Sequence, residues 1–331
     1  MQQRLFSLVL LSFSLFVFGQ TSSKDLNRIN KQNAEAIIGF LASDADEGRE
    51  AGSTGGNIAA EYIVSKLMEI AIQPLSDHYF QHFEAVQSLT KNSRWHSVAD
   101  SVQSVKSKGI HRTLKMKNIL GMIPGKLKDE FVIVGAHYDH LGMDKNLSGD
   151  QIFNGADDNA SGVSAVLQIA KAMSEHGKQP LRTIIFAFWD GEEKGLLGSK
   201  NFVSTSPQIK NVKSYLNFDM IGRNNNEEKP NHVVFFYTAK HPNFEKWLRD
   251  DIKKHRLIIE PDYRSWENPV SGSDNGSFAQ AGIPILWYHT DGHPDYHQPS
   301  DIPQKINWDK LIDITKAAYL NVWNMANEAN Y

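Results

Sequence analysis

Short apolar runs alternate with longer amphipathic stretches along most of this 331-residue chain. Runs of roughly four to eight residues, rich in β-branched and aromatic side chains, are typical of strands buried on both faces of a sheet. The chain contains such runs at EFVIVGAH (130–137), RTIIFAFWD (182–190), SYLNFDM (214–220), HVVFFYT (232–238) and GIPILWYH (282–289).

The stretches between these runs place apolar residues at helical spacing. The predicted helices cover residues 25–41, 58–70, 161–177, 242–255 and 307–327. Residues 77–115 are mixed and polar and predict no element clearly. Apolar strands that alternate with helices, without two-residue hairpin signals, are typical of a largely parallel sheet covered by helices. We therefore predict one α/β domain, with a mainly parallel mixed sheet flanked by helices on both faces.

The first 19 residues are expected to be a secretory signal peptide. Arg4 precedes an apolar run from Leu5 to Phe18, and a small residue, Gly19, follows it. The run is too short for a membrane span, and no stop-transfer charge cluster comes after it. An uncleaved N-terminal anchor is the alternative. The expected mature domain covers residues 20–331, is secreted or periplasmic, and has no membrane segment after cleavage.

Composition narrows the chemistry that this domain can use. The net charge is −3 at neutral pH, a balance that argues against nucleic acid or an anionic membrane surface as partner. The chain has no cysteine, so disulfides and thiolate chemistry are excluded. Any bound metal must therefore be held by histidine, aspartate and glutamate.

Side chains that can carry chemistry recur where the apolar runs end. In a parallel sheet the carboxyl ends of neighbouring strands lie at one edge, so these side chains should converge. They are His137 and Asp139 after the first run, Asp157 and Asp158 at the start of the next helix, Asp190, Glu192 and Glu193 after the second run, Asp219 at the end of the third, and His297 beyond the fifth.

Each of these signals is weak by itself. A histidine after a strand is more often an ordinary loop residue, and paired acids are more often a solvated turn or a helix N-terminus. Asp219 is more informative, because a carboxylate beside Phe218 and Met220 is costly to bury unless it is paired or binds a metal. Together the residues supply the nitrogen and oxygen ligands of a two-metal hydrolase.

Several motifs in this region resemble those of one enzyme family. They are HYDH (137–140), GADDNASG (155–162), GEEKGLLGS (191–199), NFDMIG (217–222) and DYHQPSD (295–301). In this order and at this spacing they resemble the M28 family of co-catalytic zinc aminopeptidases. The resemblance extends over about residues 25–327. It includes LASDADEGREAGSTGG (41–56), which is similar to the turn between that family's first two helices.

The resemblance implies two Zn²⁺ per chain and a role for each matched residue. The implied metal ligands are His137 and Asp219 on the first zinc, Glu193 and His297 on the second, and Asp158 between both. Asp139 would orient the imidazole of His137, as carboxylates commonly do for metal-bound histidines. Glu192 would be the general base, and Tyr296 would polarise the scissile carbonyl.

The implied activity is that of a secreted, monomeric aminopeptidase, which hydrolyses the N-terminal bond of peptides through a metal-activated water. A glutaminyl cyclase, which shares the fold and a DGEE segment but usually works with one zinc, is the first alternative. The DDNASG string favours the peptidase, because cyclase relatives tend to replace it. The second alternative is a non-catalytic binding domain of the same fold. Such domains typically lose metal ligands, whereas all five are present here.

Some residues near these motifs have no assigned role. Asn275 stands where many relatives have a histidine. Asp274 either lines the substrate pocket or caps a turn. His140, His289 and His293 are expected to be structural or to support the ligands.

Overall fold

The computed structural model describes residues 23–90, 93–267 and 271–328. The predicted signal peptide therefore lies outside the described residues. Within them the strands form one sheet. The strands are β1 (Gln73–Pro74), β2 (Phe80–Ser88), β3 (His111–Ile123), β4 (Leu127–His137), β5 (Arg182–Trp189), β6 (Val212–Phe218), β7 (His232–Thr238), β8 (Glu260–Trp266) and β9 (Ile285–His289).

The strand order is β1-β3-β5-β4-β6-β9-β7-β8, and β2 pairs with the outer part of β3. The four central strands, β5, β4, β6 and β9, are parallel to one another. Antiparallel pairing occurs on either side of them, between β3 and β5 and between β7 and β9. The predicted fold class, a mixed sheet with a parallel centre, is confirmed.

Helices cover both faces of this sheet, as predicted. They are α1 (Ser23–Leu26), α2 (Lys31–Leu41), α3 (Thr54–Glu69), α4 (Ala99–Ser107), α5 (Gly162–Ser174), α6 (Leu197–Thr205), α7 (Asn243–His255), α8 (Asn275–Gln280) and α9 (Trp308–Asn327). Val132 and Val134 of β4 face the core formed with α2, α5 and α9, whereas Ile133 faces the core formed with α6 and α8. This alternation is what a central strand with two buried faces requires. None of the helices in the described ranges combines the length and the apolar character that a membrane span needs.

Two sequence-based expectations were incomplete. The helix predicted over residues 25–41 is broken, because the Asn30 side chain accepts a hydrogen bond from the backbone N–H of Asn33 and so starts a new helix at Lys31. Residues 77–115, which predicted no clear element, contain β2, α4 and the first part of β3. β2 has one face exposed to solvent, so it lacks the continuous apolar run of the central strands.

Candidate metal centre

The predicted site residues come together at the carboxyl ends of the parallel strands. His137 is the last residue of β4, and Asp219 directly follows β6. Glu193 lies in the loop after β5, and His297 lies in the loop after β9. Asp158 comes from the π-type turn Ala156–Ser161, which leads into α5. The edge of the sheet thus collects side chains that are distant in the sequence.

The first group of possible ligands contains His137, Asp158 and Asp219. His137 Nε2 lies 3.3 Å from Asp158 Oδ1 and 3.7 Å from Asp219 Oδ1. One ligand atom from each residue lies within 4.8 Å of the other two, and all three side chains are buried. A single cation could therefore be reached by all three.

The second group uses the other oxygen of Asp158. His297 Nε2 lies 3.2 Å from Asp158 Oδ2 and 3.3 Å from Glu193 Oε2. His140 Nδ1 lies 2.8 Å from Glu193 Oε1 and 3.8 Å from Asp158 Oδ2. Because Oδ1 of Asp158 belongs to the first group and Oδ2 to the second, this carboxylate stands between two possible cation positions.

Electrostatics at Asp158 favour its ionised form. Burial by itself would raise the pKa of this carboxyl, but the nearby imidazoles of His140, His137 and His297 outweigh burial and hold it well below its ordinary value. Burial likewise lowers the pKa of His297, yet its hydrogen bonds to Asp158 and Glu193 dominate and raise it to about 10. The carboxylates at this edge are thus paired with positive charge on their protein neighbours.

The donor set fits zinc. Imidazole nitrogen and carboxylate oxygen are the ligands that zinc takes in proteins that lack cysteine at the site. The carboxylates of Asp158, Asp219 and Glu193 are crowded at this edge, and crowded carboxylates with little solvent are costly unless positive charge lies among them. The residues of both groups are therefore chemically suited to hold divalent metal ions.

Glu192 belongs to neither group, although it is adjacent to Glu193 in the chain. Its side chain lines the cavity beside both groups. Burial, together with the nearby carboxylates of Asp219, Asp274 and Glu193, raises the pKa of Glu192 well above its ordinary value. A carboxylate that is not a ligand and has a raised pKa is suited to accept and return a proton.

Asp139 contacts the backbone of the Glu192–Glu193 loop. Its Oδ1 accepts the N–H of Glu192 at 3.0 Å, and its Oδ2 accepts the N–H of Glu193 at 3.4 Å. Its carboxylate is 3.8 Å from His137 Nδ1, whereas its backbone carbonyl is 3.1 Å from the same nitrogen. The predicted contact with the His137 imidazole is thus made by the main chain of Asp139, while its carboxylate fixes the loop that carries Glu192 and Glu193.

A cavity of about 250 Å³ opens beside the two groups. Its walls include Met220, Gly272, Trp287 and Tyr296. Tyr296 lines the cavity and is 45% exposed. The cavity is therefore lined both by carboxylates of the site and by the apolar side chains of Met220 and Trp287.

The residues without an assigned role lie close by. His289 Nδ1 is 2.6 Å from the backbone carbonyl of Asp219, and His293 Nε2 is 3.2 Å from Asp157 Oδ2. Asp274 is fully buried and does not line the cavity, and its side chain forms no cap on α8. Burial raises the pKa of Asp274 to about 7.

His140, which the sequence predicts to be structural or to support the ligands, lies in the structure among the possible ligands of the second group, with Asp158 and Glu193. Its backbone N–H donates to the carbonyl of Arg49, and its ring reaches Glu193 as described. The available signal was its position directly after Asp139 in the HYDH motif.

Comparison with known proteins identifies the family of this chain. The model of peptidase family M28 matches residues 118–322, more than half of the chain. A probable leucine aminopeptidase of Arthroderma otae is 28% identical over 272 residues, which cover 79% of this chain and 72% of that protein.

Solved structures show the same fold. A zinc aminopeptidase from Bacillus subtilis superposes with a TM-score of 0.68 at 16% identity, over 92% of this chain and 97% of that chain. A glutaminyl cyclase from Fimbriiglobus ruber superposes equally well, with a TM-score of 0.67 at 16% identity, over 90% of this chain and 95% of that chain. The fold therefore does not separate the two activities, but the family match does identify the chain. It belongs to peptidase family M28 and is a peptidase hydrolase.

Proposed function

We propose that this protein is a secreted di-zinc aminopeptidase that removes the N-terminal residue from peptides. The observation that carries the proposal is the position of Asp158, whose two carboxylate oxygens belong to two different groups of possible ligands. Two cations close together repel, and a carboxylate shared between them offsets part of that repulsion. The leucine aminopeptidase named above supports the choice of an exopeptidase.

The ligands would divide between the two oxygens of Asp158, with His297 as a ligand and His140, which also lies beside the second position, as a support. His137 and Asp219 would hold one zinc, Glu193 and His297 the other, and Asp158 both. Bound zinc would supply Lewis acidity, which polarises a carbonyl and lowers the pKa of water. The His140 ring, 2.8 Å from Glu193, would orient that carboxylate.

Glu192 would move the proton that the reaction requires. Its carboxylate would accept a proton from the attacking water and deliver it to the nitrogen of the leaving amine. The buried, acidic surroundings of Glu192 raise its pKa and so assist the first of these transfers, in which it accepts the proton. The Tyr296 hydroxyl would donate a hydrogen bond to the carbonyl oxygen of the scissile bond.

The cavity also suits the α-amino group and the side chain of the N-terminal residue of the substrate. A free α-amino group is positively charged, and the carboxylates around the site would receive it. The apolar wall with Met220 and Trp287 would contact the side chain of the N-terminal residue. Peptides with a blocked amine would therefore be poor substrates.

Export and assembly are part of the proposal. Residues 1–19 would be removed as a signal peptide, and residues 20–331 would act as a monomer in the periplasm or the medium. The short apolar run from Leu5 to Phe18 is the support for export.

The test is turnover of a panel of aminoacyl-anilides with free and acetylated amines, in the presence and absence of a chelator, together with metal analysis. We expect hydrolysis of the free-amine substrates only, loss of activity with chelator, and two zinc ions per chain. A peptide with N-terminal glutamine should be hydrolysed and not cyclised. One metal per chain at saturation together with cyclisation would instead favour a glutaminyl cyclase.

A further inference from the structure

The backbone of Asp158 lies between two buried side chains of opposite charge. Arg49, from the turn before α3, is 1% exposed, and Asp301, from the loop beyond His297, is fully buried. Neither residue belongs to the groups of possible metal ligands. The two come from opposite ends of the domain sequence, yet both contact the segment 154–158.

Arg49 donates to backbone carbonyls. Its Nη2 donates to Gly155 O at 2.9 Å and to Asp158 O at 3.4 Å, and its Nη1 donates to Asn154 O at 2.6 Å. Its Nε donates to Tyr138 O at 3.0 Å, directly after the end of β4. One guanidinium therefore joins the loop after His137 to the turn that carries Asp158.

Asp301 contacts the same turn through the backbone N–H groups of the turn. Its Oδ1 and Oδ2 accept the N–H of Asp157 at 3.1 and 2.9 Å, and its Oδ2 also accepts the N–H of Asp158 at 3.1 Å. Its backbone carbonyl accepts the N–H of Ala156 at 3.1 Å. Asp301 therefore ties the turn to the loop that carries His297.

The turn needs such partners because its backbone is not helical. Asp158 has φ −102° and ψ 95°, and Gly155 has φ 59°. Buried N–H and C=O groups outside regular structure are costly unless side chains satisfy them. An arginine is also costly to bury, and here its guanidinium donors meet main-chain oxygens of the ligand loops. This arrangement fixes where the Asp158 carboxylate can point.

We infer that Arg49 and Asp301 are positioning residues for Asp158, which together hold its backbone so that its two oxygens face two different cation positions. The inference rests on the proposed metal centre. It assigns a specific task to the segment 41–56, whose sequence otherwise predicts only a turn.

The test compares three variants of the full chain. Arg49→Lys keeps the charge but cannot make the same set of hydrogen bonds. Asp301→Asn keeps the shape and one acceptor oxygen. The matched control is Arg182→Lys, because Arg182 is also buried and donates to the carbonyl of Met325 and to Glu130, at the start of β5 and away from the site.

Three measurements distinguish an effect on the position of Asp158 from a general loss of protein stability. They are the zinc dissociation constant by competition with a chromophoric chelator, the absorption spectrum of the cobalt(II)-loaded protein, and the thermal midpoint of the chelator-treated protein. We expect Arg49→Lys and Asp301→Asn to weaken zinc binding about 10–100-fold and to change the cobalt spectrum, whereas Arg182→Lys should keep zinc affinity within about twofold of wild type. Of the three measurements, Arg182→Lys should change only the thermal midpoint, which it should lower.

Wild-type zinc affinity and an unchanged cobalt spectrum in both variants would overturn the inference, whatever happens to the thermal midpoint. If Arg49→Lys does not fold, the nearly isosteric Asp301→Asn decides the question alone. A wild-type chain that binds no zinc in the same assay would refute the proposed function and this inference together. Zinc binding by the wild type with unaltered variants would refute the inference only.

Discussion

The ring of Tyr296 stacks on the imidazole of His297, with 3.8 Å between the ring centroids and 27° between their planes. The stack places the tyrosine over a predicted metal ligand, at the wall of the cavity. Partial burial and the nearby carboxylates of Asp158 and Glu193 raise the pKa of Tyr296 above its ordinary value. The hydroxyl therefore stays protonated at neutral pH and can donate a hydrogen bond.

Tyr296→Phe keeps this stack and removes only the hydroxyl. We expect kcat to fall by about 10²-fold with little change in KM, because a lost donor to the developing oxyanion acts mainly in the transition state. Steady-state kinetics on a free-amine anilide provide the measurement. Tyr62→Phe is the matched control, since Tyr62 stacks on Phe40 away from the site and its loss of hydroxyl should leave kcat unchanged. Full activity in Tyr296→Phe would contradict the assigned role.

Glu192 and Glu193 should respond differently to the same substitution. Glu192→Gln keeps the shape of the side chain but cannot accept a proton, so we expect two zincs per chain and a loss of kcat of about 10²–10⁴-fold. Glu193→Gln removes a carboxylate from the second group and should lower zinc occupancy directly. Metal analysis and kinetics on both purified variants test the pair. If Glu192→Gln loses zinc while Glu193→Gln retains both ions, the two roles are reversed.

Asp139→Asn should weaken the site through the loop that it holds. The carboxylate accepts the N–H groups of both Glu192 and Glu193, and an amide offers one acceptor oxygen for the two donors. We expect zinc affinity or kcat to fall about 10–100-fold, as is typical when a group that supports metal ligands is altered. Asp313→Asn is the control, because Asp313 accepts the N–H of Ile258 away from the site. Equal effects of the two substitutions on zinc affinity would contradict the prediction.

Lys310 should make stability depend on pH in the alkaline range. It is fully buried in α9, and its Nζ donates to the carbonyl of Arg223 at 2.6 Å. Burial lowers the pKa of Lys310 from 10.5 to about 8, although the Asp157 carboxylate opposes the shift. Between these two pH values the unfolded chain binds more protons at this residue than the folded chain, so its contribution to the free energy of unfolding rises with pH.

In total, the contribution of Lys310 to the free energy of unfolding should rise by roughly 3 kcal/mol between pH 8 and pH 10.5. Urea unfolding of the chelator-treated protein across this range should show the rise, and Lys310→Met should lack it. Lys31→Met, at an exposed lysine of α2, should retain the rise seen in the wild type. An identical pH profile for wild type and Lys310→Met would refute the prediction.

The exported protein should begin near Gln20. Mass spectrometry of protein from the periplasm or medium is expected to show a new N-terminus between residues 18 and 24. Leu11→Arg interrupts the apolar run and should leave full-length protein inside the cell. An intact Met1 on exported protein would contradict cleavage.

The centre of the fold could be predicted from sequence because its strands are buried on both faces. β4 and β5 contain continuous apolar runs at residues 131–136 and 184–189, and the positions of His137 and Asp219 follow from where β4 and β6 end. β3 was less visible, since charged residues such as Arg112 and Lys115 interrupt its exposed half. Its antiparallel pairing with β5 depends on the partner strand and not on a local pattern.

The supporting residues of the site were harder to predict than the possible ligands. Arg49 lies in a segment rich in Gly, Asp and Ser, where an arginine is ordinarily exposed. Its burial depends on carbonyls of Tyr138 and Gly155, which are distant in the sequence. Asp301 was visible as the end of DYHQPSD, but main-chain hydrogen bonds to a turn 143 or 144 residues away have no sequence pattern.

The order of the strands makes the site depend on pairing between distant parts of the chain. β6 lies between β4 and β9, and the pairing of Tyr215 with Ile285 joins parts of the chain that are far apart. His297 reaches the other ligands only after β9 has joined the sheet, and such non-local pairings form slowly. A nascent or unfolded chain therefore has no assembled centre, so this peptidase is latent until its sheet is complete.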